Sequence, residues 1–296
     1  MGTSPPSSDP QILSPEADLG PPQQTAHKPR PSWSYAPATY VLLGINCLVF
    51  LLMAVRGVSI WSPTPDQLMV FGADHAGAVL QSGQWWRIVT AMFVHVGILH
   101  LATNMWCLWN LGLLAEPLMG SAGVVAVYVL TGAAGNLLST CVNWLRPLFV
   151  HWLWLLVHWF WPFREAAASG LFPVGAGASG AVFGIAGALI ILLKSHRLPV
   201  PPLELHKLRK SVIYFAAINL AIGFSISFGT SVIGSGIQID NMAHLGGFTC
   251  GLLFAAPMVP RLGSPREQFL FRRRAATVMV VGILVFFGFY LATLAR

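Results

Sequence analysis

The sequence predicts an all-α protein, a polytopic bundle of membrane helices, and three observations carry that prediction. Hydrophobic residues make up 55% of the 296-residue chain and charged residues 9%, with a mean hydropathy of +0.67, which leaves too few polar groups to cover a water-facing surface. Uncharged apolar stretches recur along the chain at about the 20-residue length a helix needs to cross the hydrocarbon core. The Arg and Lys residues gather in short patches between those stretches. A formal charge of +7 spread in this way speaks for membrane topology and against a nucleic-acid partner, which calls for a basic face or groove.

The first stretch, 1–34, is rich in Pro, Ser and Gln and has no apolar core, so it reads as a disordered tail. It carries no signal-peptide core. Met1-Gly2 opens like a myristoylation site, but Pro6 stands where Ser or Thr is required. Seven spans follow, near Ala36–Val55, Leu99–Leu118, Ala122–Leu145, Ser179–Leu193, Val212–Phe228, Met242–Val259 and Ala275–Leu294. They divide into a six-helix core over 35–262 and, over 263–296, a basic linker with a seventh helix. An aromatic insertion at 146–163, with Trp152, Trp154, Trp159 and Trp161, is too short for a comfortable span. Tryptophan favours the headgroup level, so this piece reads as an interfacial or re-entrant helix on the outer face.

Basic patches fix the orientation. Lys28 and Arg30 precede span one, Lys194 to Lys210 join spans four and five, and Arg261 to Arg274 join six and seven. All fall on one side if the spans alternate, which places the N-terminus in the cytoplasm. Low charge and the lack of a presequence fit an integral protein of the bacterial inner membrane. Cys47, Cys107, Cys141 and Cys250 each lie within an apolar run, with no C-x-x-C pair or metal-ligand spacing, and read as buried thiols.

Three of the spans carry chemistry. Ser179 begins one after the glycine-rich approach Gly175-Ala176-Gly177-Ala178, and Gly180 follows it. Small residues there also mark close helix packing, but a helix that starts in an open glycine-rich turn can aim backbone amides at developing negative charge. His244 heads another span within Asn241–Gly251, with Gly247 and Gly251 below it at helical spacing. Two glycine-faced helices presenting Ser and His at the same end make a nucleophile and its base. His100 and Asn104, four apart on span two, share a face and can donate hydrogen bonds to an oxyanion together with the Ser179 amide. Asp240 lies four residues before His244, where a helix cap competes with a third catalytic member; the cap and a Ser–His dyad are preferred. Phe183, one turn after Ser179, is placed to stack on His244 or to be ordinary core. A metal site at His95 and His100 or a proton relay are the rival readings. Metal is disfavoured because the two are five residues apart and no carboxylate is near.

Taken together, these residues resemble the rhomboid intramembrane serine proteases, from about Trp85 to Ala255. The ordered set is Trp86-Arg87, then His95, His100 and Asn104 as H-x-x-x-x-H-x-x-x-N, then Glu116 with Gly120, then Gly177-Ala178-Ser179-Gly180, and last His244-x-x-Gly247-x-x-x-Gly251. The resemblance implies Ser179 as nucleophile, His244 as general base, and His100, Asn104 and the Ser179 amide as oxyanion hole. It also implies a structural role for Trp86 and Arg87 in the first loop, a cap over the site from 229–240, lateral substrate entry at span five, and single-span membrane-protein substrates drawn from the lipid bilayer. No cofactor and no metal are implied. Phe183 departs from relatives that carry Tyr there, and the insertion at 146–163 has no assigned family role.

Two other classes compete. A catalytically inactive relative that binds membrane clients would have lost Ser or His, and both are present. A transporter using the intramembrane histidines would show paired carboxylates or inverted repeats, and neither is seen. Polar groups near the outer mouth, His95 among them, are expected to admit water. Substrate identity and oligomeric state are not written in the sequence.

Overall fold

The computed structural model describes residues 35–158, 173–194, 201–233, 240–258 and 265–295. Within these residues all regular structure is helical apart from one isolated β-bridge. The tail 1–34 lies outside the described residues, as do 159–163 of the aromatic insertion and 234–239 of the expected cap.

α1 (Pro37–Val55) starts with proline at its first position and no side-chain cap of its own. Its buried stripe, Ala38, Thr39, Leu42, Asn46, Phe50 and Met53, faces the bundle, while Val41, Leu48, Leu51 and Val55 point outward. An apolar outer face is what a lipid-facing helix requires. The missing cap comes from α5 (Ile98–Met119): the Glu116 carboxylate accepts from Ala38 N at 2.9 Å, Thr39 N at 2.8 Å and Thr39 Oγ1 at 2.7 Å. It also accepts from Ser121 Oγ at 2.6 Å. One acid thus satisfies the orphan amides of one helix and the start of another.

Between α1 and α5 the chain folds into three short helices, α2 (Pro65–Val70), α3 (Ala76–Leu80) and α4 (Arg87–Thr90), and a 3-10 turn at Ala91–Phe93. Thr64 and Gln67 form a reciprocal capping box on α2. A small core of Met53, Val58, Leu68, Ala73 and Val94 holds the loop to the end of α1. Arg87 ties the loop together: Nη1 donates to Met69 O at 2.8 Å and Ala73 O at 2.9 Å, and Nε to Gln84 Oε1 at 2.6 Å. The guanidinium also lies 4.5 Å from the Trp86 ring centre.

Gly120, at φ +74°, is the single residue between α5 and α6 (Ser121–His158). The insertion expected as an interfacial or re-entrant helix at 146–163 is, over its described residues, a continuation of α6. α6 continues without a break through His158, to a length of about 57 Å, nearly twice the hydrocarbon thickness. The insertion contains no residue before Pro162 that would end a helix, apart from Pro147, and a tryptophan-rich sequence carries a preference for depth rather than a break.

α7 (Ser179–Leu192) is the central element, with residues buried on all sides of the helix against α5, α6, α8 (Pro202–Ile233) and α9 (Asn241–Ala255). α10 (Arg266–Leu294) packs on α6 and α9. Among the described residues four helices, α1, α5, α10 and the part of α6 at Ser121–Leu145, are long and apolar enough to cross a membrane, and α7 is a shorter apolar helix. Its 14 residues reach about 21 Å, short of a roughly 30 Å hydrocarbon core. Lys194 follows its C-terminal end.

α8 and α10 begin well before the expected spans. Both extend into the basic linkers, since Lys, Arg and Glu are good helix formers. A run of charge marks the edge of the membrane, not the end of the helix. Lys207 and Glu204 pair at 2.9 Å within α8.

Candidate active site

Glycine brings α7 and α9 together. A methyl group on Gly247 would run into the carbonyl of Gly180, and one on Gly251 into the carbonyl of Gly184. These two contacts, four residues apart on each chain, set the helices parallel and in backbone contact. Ser179 and His244 therefore stand at the same end. His244 is three residues before Gly247 and shares its face, so the imidazole turns towards α7.

The ring lies flat on Phe183, with centroids 4.4 Å apart and planes at 13°. Phe183 is one turn below Ser179 on the same face, and its far side meets Phe215 of α8 at 6.3 Å. His244 is 6% exposed, and its Nδ1 has no hydrogen-bond partner among the described residues. No hydrogen bond joins Ser179 to His244 among the described residues. Such bonds are commonly loose before substrate tightens them.

Asp240 turns away from the imidazole ring. Its Oδ1 accepts from Ala243 N at 2.9 Å and caps α9, while Oδ2 accepts from Ser139 Oγ at 2.5 Å. Asn241, the first residue of α9, is buried beside it.

α7 is left without such a cap. Its N-cap residue is Ala178, with no side-chain hydrogen bond, and no backbone acceptor takes the Ser179 amide among the described residues. The positive end of this helix is open while α1 and α9 each have a carboxylate. His100 leans over the same turn. Gly177 has φ +134°, and a Cβ there would lie 2.5 Å from His100 Cε1 and 3.0 Å from Nε2. The ring reaches the backbone two residues before Ser179 only because that position is glycine.

Asn104, 6% exposed, donates through Nδ2 to His100 O at 2.9 Å, with a second amide hydrogen remaining. His95 is fully buried, so it does not line a water-filled mouth. Its Nδ1 is 3.3 Å from Phe93 O and its ring centre 5.4 Å from that of His100. Burial, with His100 adding to it, holds this imidazole neutral, down to about 3. Trp86 and Arg87 belong to the loop scaffold. No group of three or more His, Cys, Asp or Glu suited to a metal ion occurs among the described residues.

One element of the site was not read from the sequence. Asp74 of the first loop and Gly175 exchange two backbone hydrogen bonds, at 2.7 and 2.9 Å, as an antiparallel bridge. This fixes the strand that leads into Ser179. No local signal announces a bridge one residue long between distant segments.

The family model for the Rhomboid domain matches residues 82–261. Among curated proteins, "Rhomboid protease GluP" of Bacillus subtilis (strain 168) is 31% identical over 85% of this chain and 40% of its own length. "RHOMBOID-like protein 1" of Arabidopsis thaliana is 29% identical over 64% of this chain and 39% of its own. "Rhomboid protease AarA" of Providencia stuartii is 27% identical over 73% of this chain and 70% of its own. The chain thus spans about two fifths of the length of the first two.

Proposed function

The chain belongs to the rhomboid family, and from that membership we propose that it is an intramembrane serine endopeptidase. It cleaves peptide bonds near the outer ends of single-span membrane proteins. The observation that carries the reading is the stacking of His244 on Phe183, one turn from Ser179, across a glycine-to-carbonyl contact of α7 and α9.

In the reaction, Ser179 Oγ attacks the carbonyl carbon of the scissile bond and passes its proton to His244. The oxygen of the tetrahedral intermediate lies against the uncapped start of α7, taking the Ser179 amide and the donors of His100 and Asn104. Each such donor is typically worth about 2.7–4 kcal/mol. His244 returns the proton to the departing amine, and water then resolves the acyl-enzyme by the same route. With no carboxylate on Nδ1 among the described residues, the flat aromatic contact orients the imidazole in place of a third member. A Ser–His pair needs no cofactor.

A substrate helix enters laterally past α8, where Phe215 meets Phe183, and unwinds more cheaply where it carries glycine. The basic linkers favour a cytoplasmic N-terminus, with the Ser179 end towards the outer face of a bacterial inner membrane.

A fluorophosphonate probe tests the reading. Labelling of the wild-type protein that vanishes in Ser179→Ala and falls sharply in His244→Ala is expected. A folded wild type that takes no label would make the chain a binder of membrane clients instead.

A further inference from the structure

The two segments that lead into Ser179 and His244 meet in one cluster of polar groups. Gly175, four residues before Ser179, is bridged to Asp74, and Asp240, four residues before His244, caps α9. Both carboxyls flank Gly175: a Cβ built there would lie 3.4 Å from Asp240 Oδ2 and 3.9 Å from Asp74 Oδ2. Consecutive residues of α6 then hold one each, Ser139 Oγ on Asp240 at 2.5 Å and Thr140 Oγ1 on Asp74 at 2.8 Å.

The two acids are not equivalent. Burial raises the Asp240 carboxyl as well, but it receives a hydroxyl and a backbone amide and sits at the positive end of α9, all of which favour charge. Asp74 is 3% exposed, its Oδ1 has no hydrogen-bond partner among the described residues, and its neighbour is another carboxyl. The charged groups facing it among the described residues are Asp240 on α9, Arg87 on α4 and the adjacent His75. Among the described residues α6 contributes the hydroxyls of Ser139 and Thr140. Arg87 directs Nε to Gln84 and Nη1 to Met69 O and Ala73 O, so its charge favours the Asp74 carboxylate only from a distance and as the smallest influence on it, and the His75 ring caps α3 by accepting from Ala78 N. An ionised, half-satisfied carboxylate in that place is costly, whereas the neutral acid is not.

We propose that Asp74 and Asp240 are positioning residues for the Ser179–His244 reaction, working with Asp74 as neutral acid and Asp240 as ionised cap, so that ionising Asp74 as well drives the two lead-in segments apart. This inference rests on the dyad reading above. Burial, with the charge of Asp240 adding to it, pushes the Asp74 carboxyl up to about 7, which places the change within a range where the enzyme can be assayed.

The test is the pH profile of peptidase activity on a reconstituted single-span substrate, run in parallel with fluorophosphonate labelling. Wild type should lose activity as pH rises through about 7. Asp74→Asn keeps the neutral form and an acceptor for Thr140, so its own profile should lack that alkaline loss. Thr140→Val removes the donor that favours the ionised acid and should move the loss up by about one pH unit. An unchanged alkaline limb in Asp74→Asn would overturn the proposal. If Asp74→Asn does not fold, an unshifted limb in Thr140→Val overturns it on its own. Absence of wild-type labelling at every pH is a separate result that would remove the dyad reading and this inference with it.

Discussion

The imidazole of His244 rests on the Phe183 ring at 4.4 Å, nearly parallel to it, and Phe183 in turn is backed by Phe215 of α8. An imidazole whose Nδ1 has no hydrogen-bond partner among the described residues is held in direction by its face. The contact also links the base to the helix past which substrate is proposed to enter.

Phe183→Leu keeps an apolar side chain of similar bulk and removes the stack. Aromatic pairs are worth about 0.5–1.5 kcal/mol beyond their burial, so kcat should fall by roughly 2- to 12-fold with KM little changed. Phe183→Tyr retains the ring and should stay near wild type. Steady-state kinetics on the purified protein in detergent check both.

The α7–α9 contact has no room for a methyl group. Gly247→Ala places one against the Gly180 carbonyl, and overpacking of this kind typically costs about 1–3 kcal/mol. The expected result is a lower Tm together with loss of Ser179 labelling, because the helices that carry the two residues must separate. Gly44→Ala and Gly282→Ala are the controls: nothing lies within 4 Å of a Cβ at either position, and both should leave Tm and labelling as they are.

The sign of the Asp74 shift gives a stability prediction independent of catalysis. The folded carboxyl titrates at about 7 against an ordinary value of 3.8, with burial as the main cause. Between those two pH values the unfolded chain has released the proton and the folded one has kept it, so folded stability declines as pH rises. The loss is complete above about 7 and absent below 3.8. Thermal unfolding across this window should show a Tm falling with pH in wild type and a shallower fall in Asp74→Asn.

How much of this was legible in the sequence depends on distance along the chain. Helices α1, α5 and α7 begin and end within a residue of the expected spans. α8 and α10 do not, since Lys207, Arg209 and Arg272 to Arg274 continue a helix that has already left the apolar layer. The Ser179 and His244 helices were recognisable from small residues at i, i+3 and i+7, a periodicity that survives without any coordinates. By contrast, the Asp74–Gly175 bridge and the hydroxyls of Ser139 and Thr140 join segments far apart in sequence through single residues. Neither period nor composition encodes such a contact. The buried Asn46–Tyr128 hydrogen bond at 2.9 Å was hidden for the same reason.

The last prediction concerns Gly177 and His100, whose closeness separates a backbone effect from a catalytic one. Gly177→Ala has two faults: its φ of +134° suits glycine alone, and its Cβ would lie 2.5 Å from the His100 ring. His100→Ala alone removes one oxyanion donor and should lower kcat by about 10²- to 10³-fold. If Gly177→Ala acts chiefly by pushing the imidazole aside, then adding it to His100→Ala, where the space is empty, should cost much less than it does in wild type. A double-mutant cycle on kcat/KM reads the difference directly. Full additivity would mean that the strained backbone, and not the displaced ring, accounts for the loss, and it would separate His100 from the turn that presents Ser179.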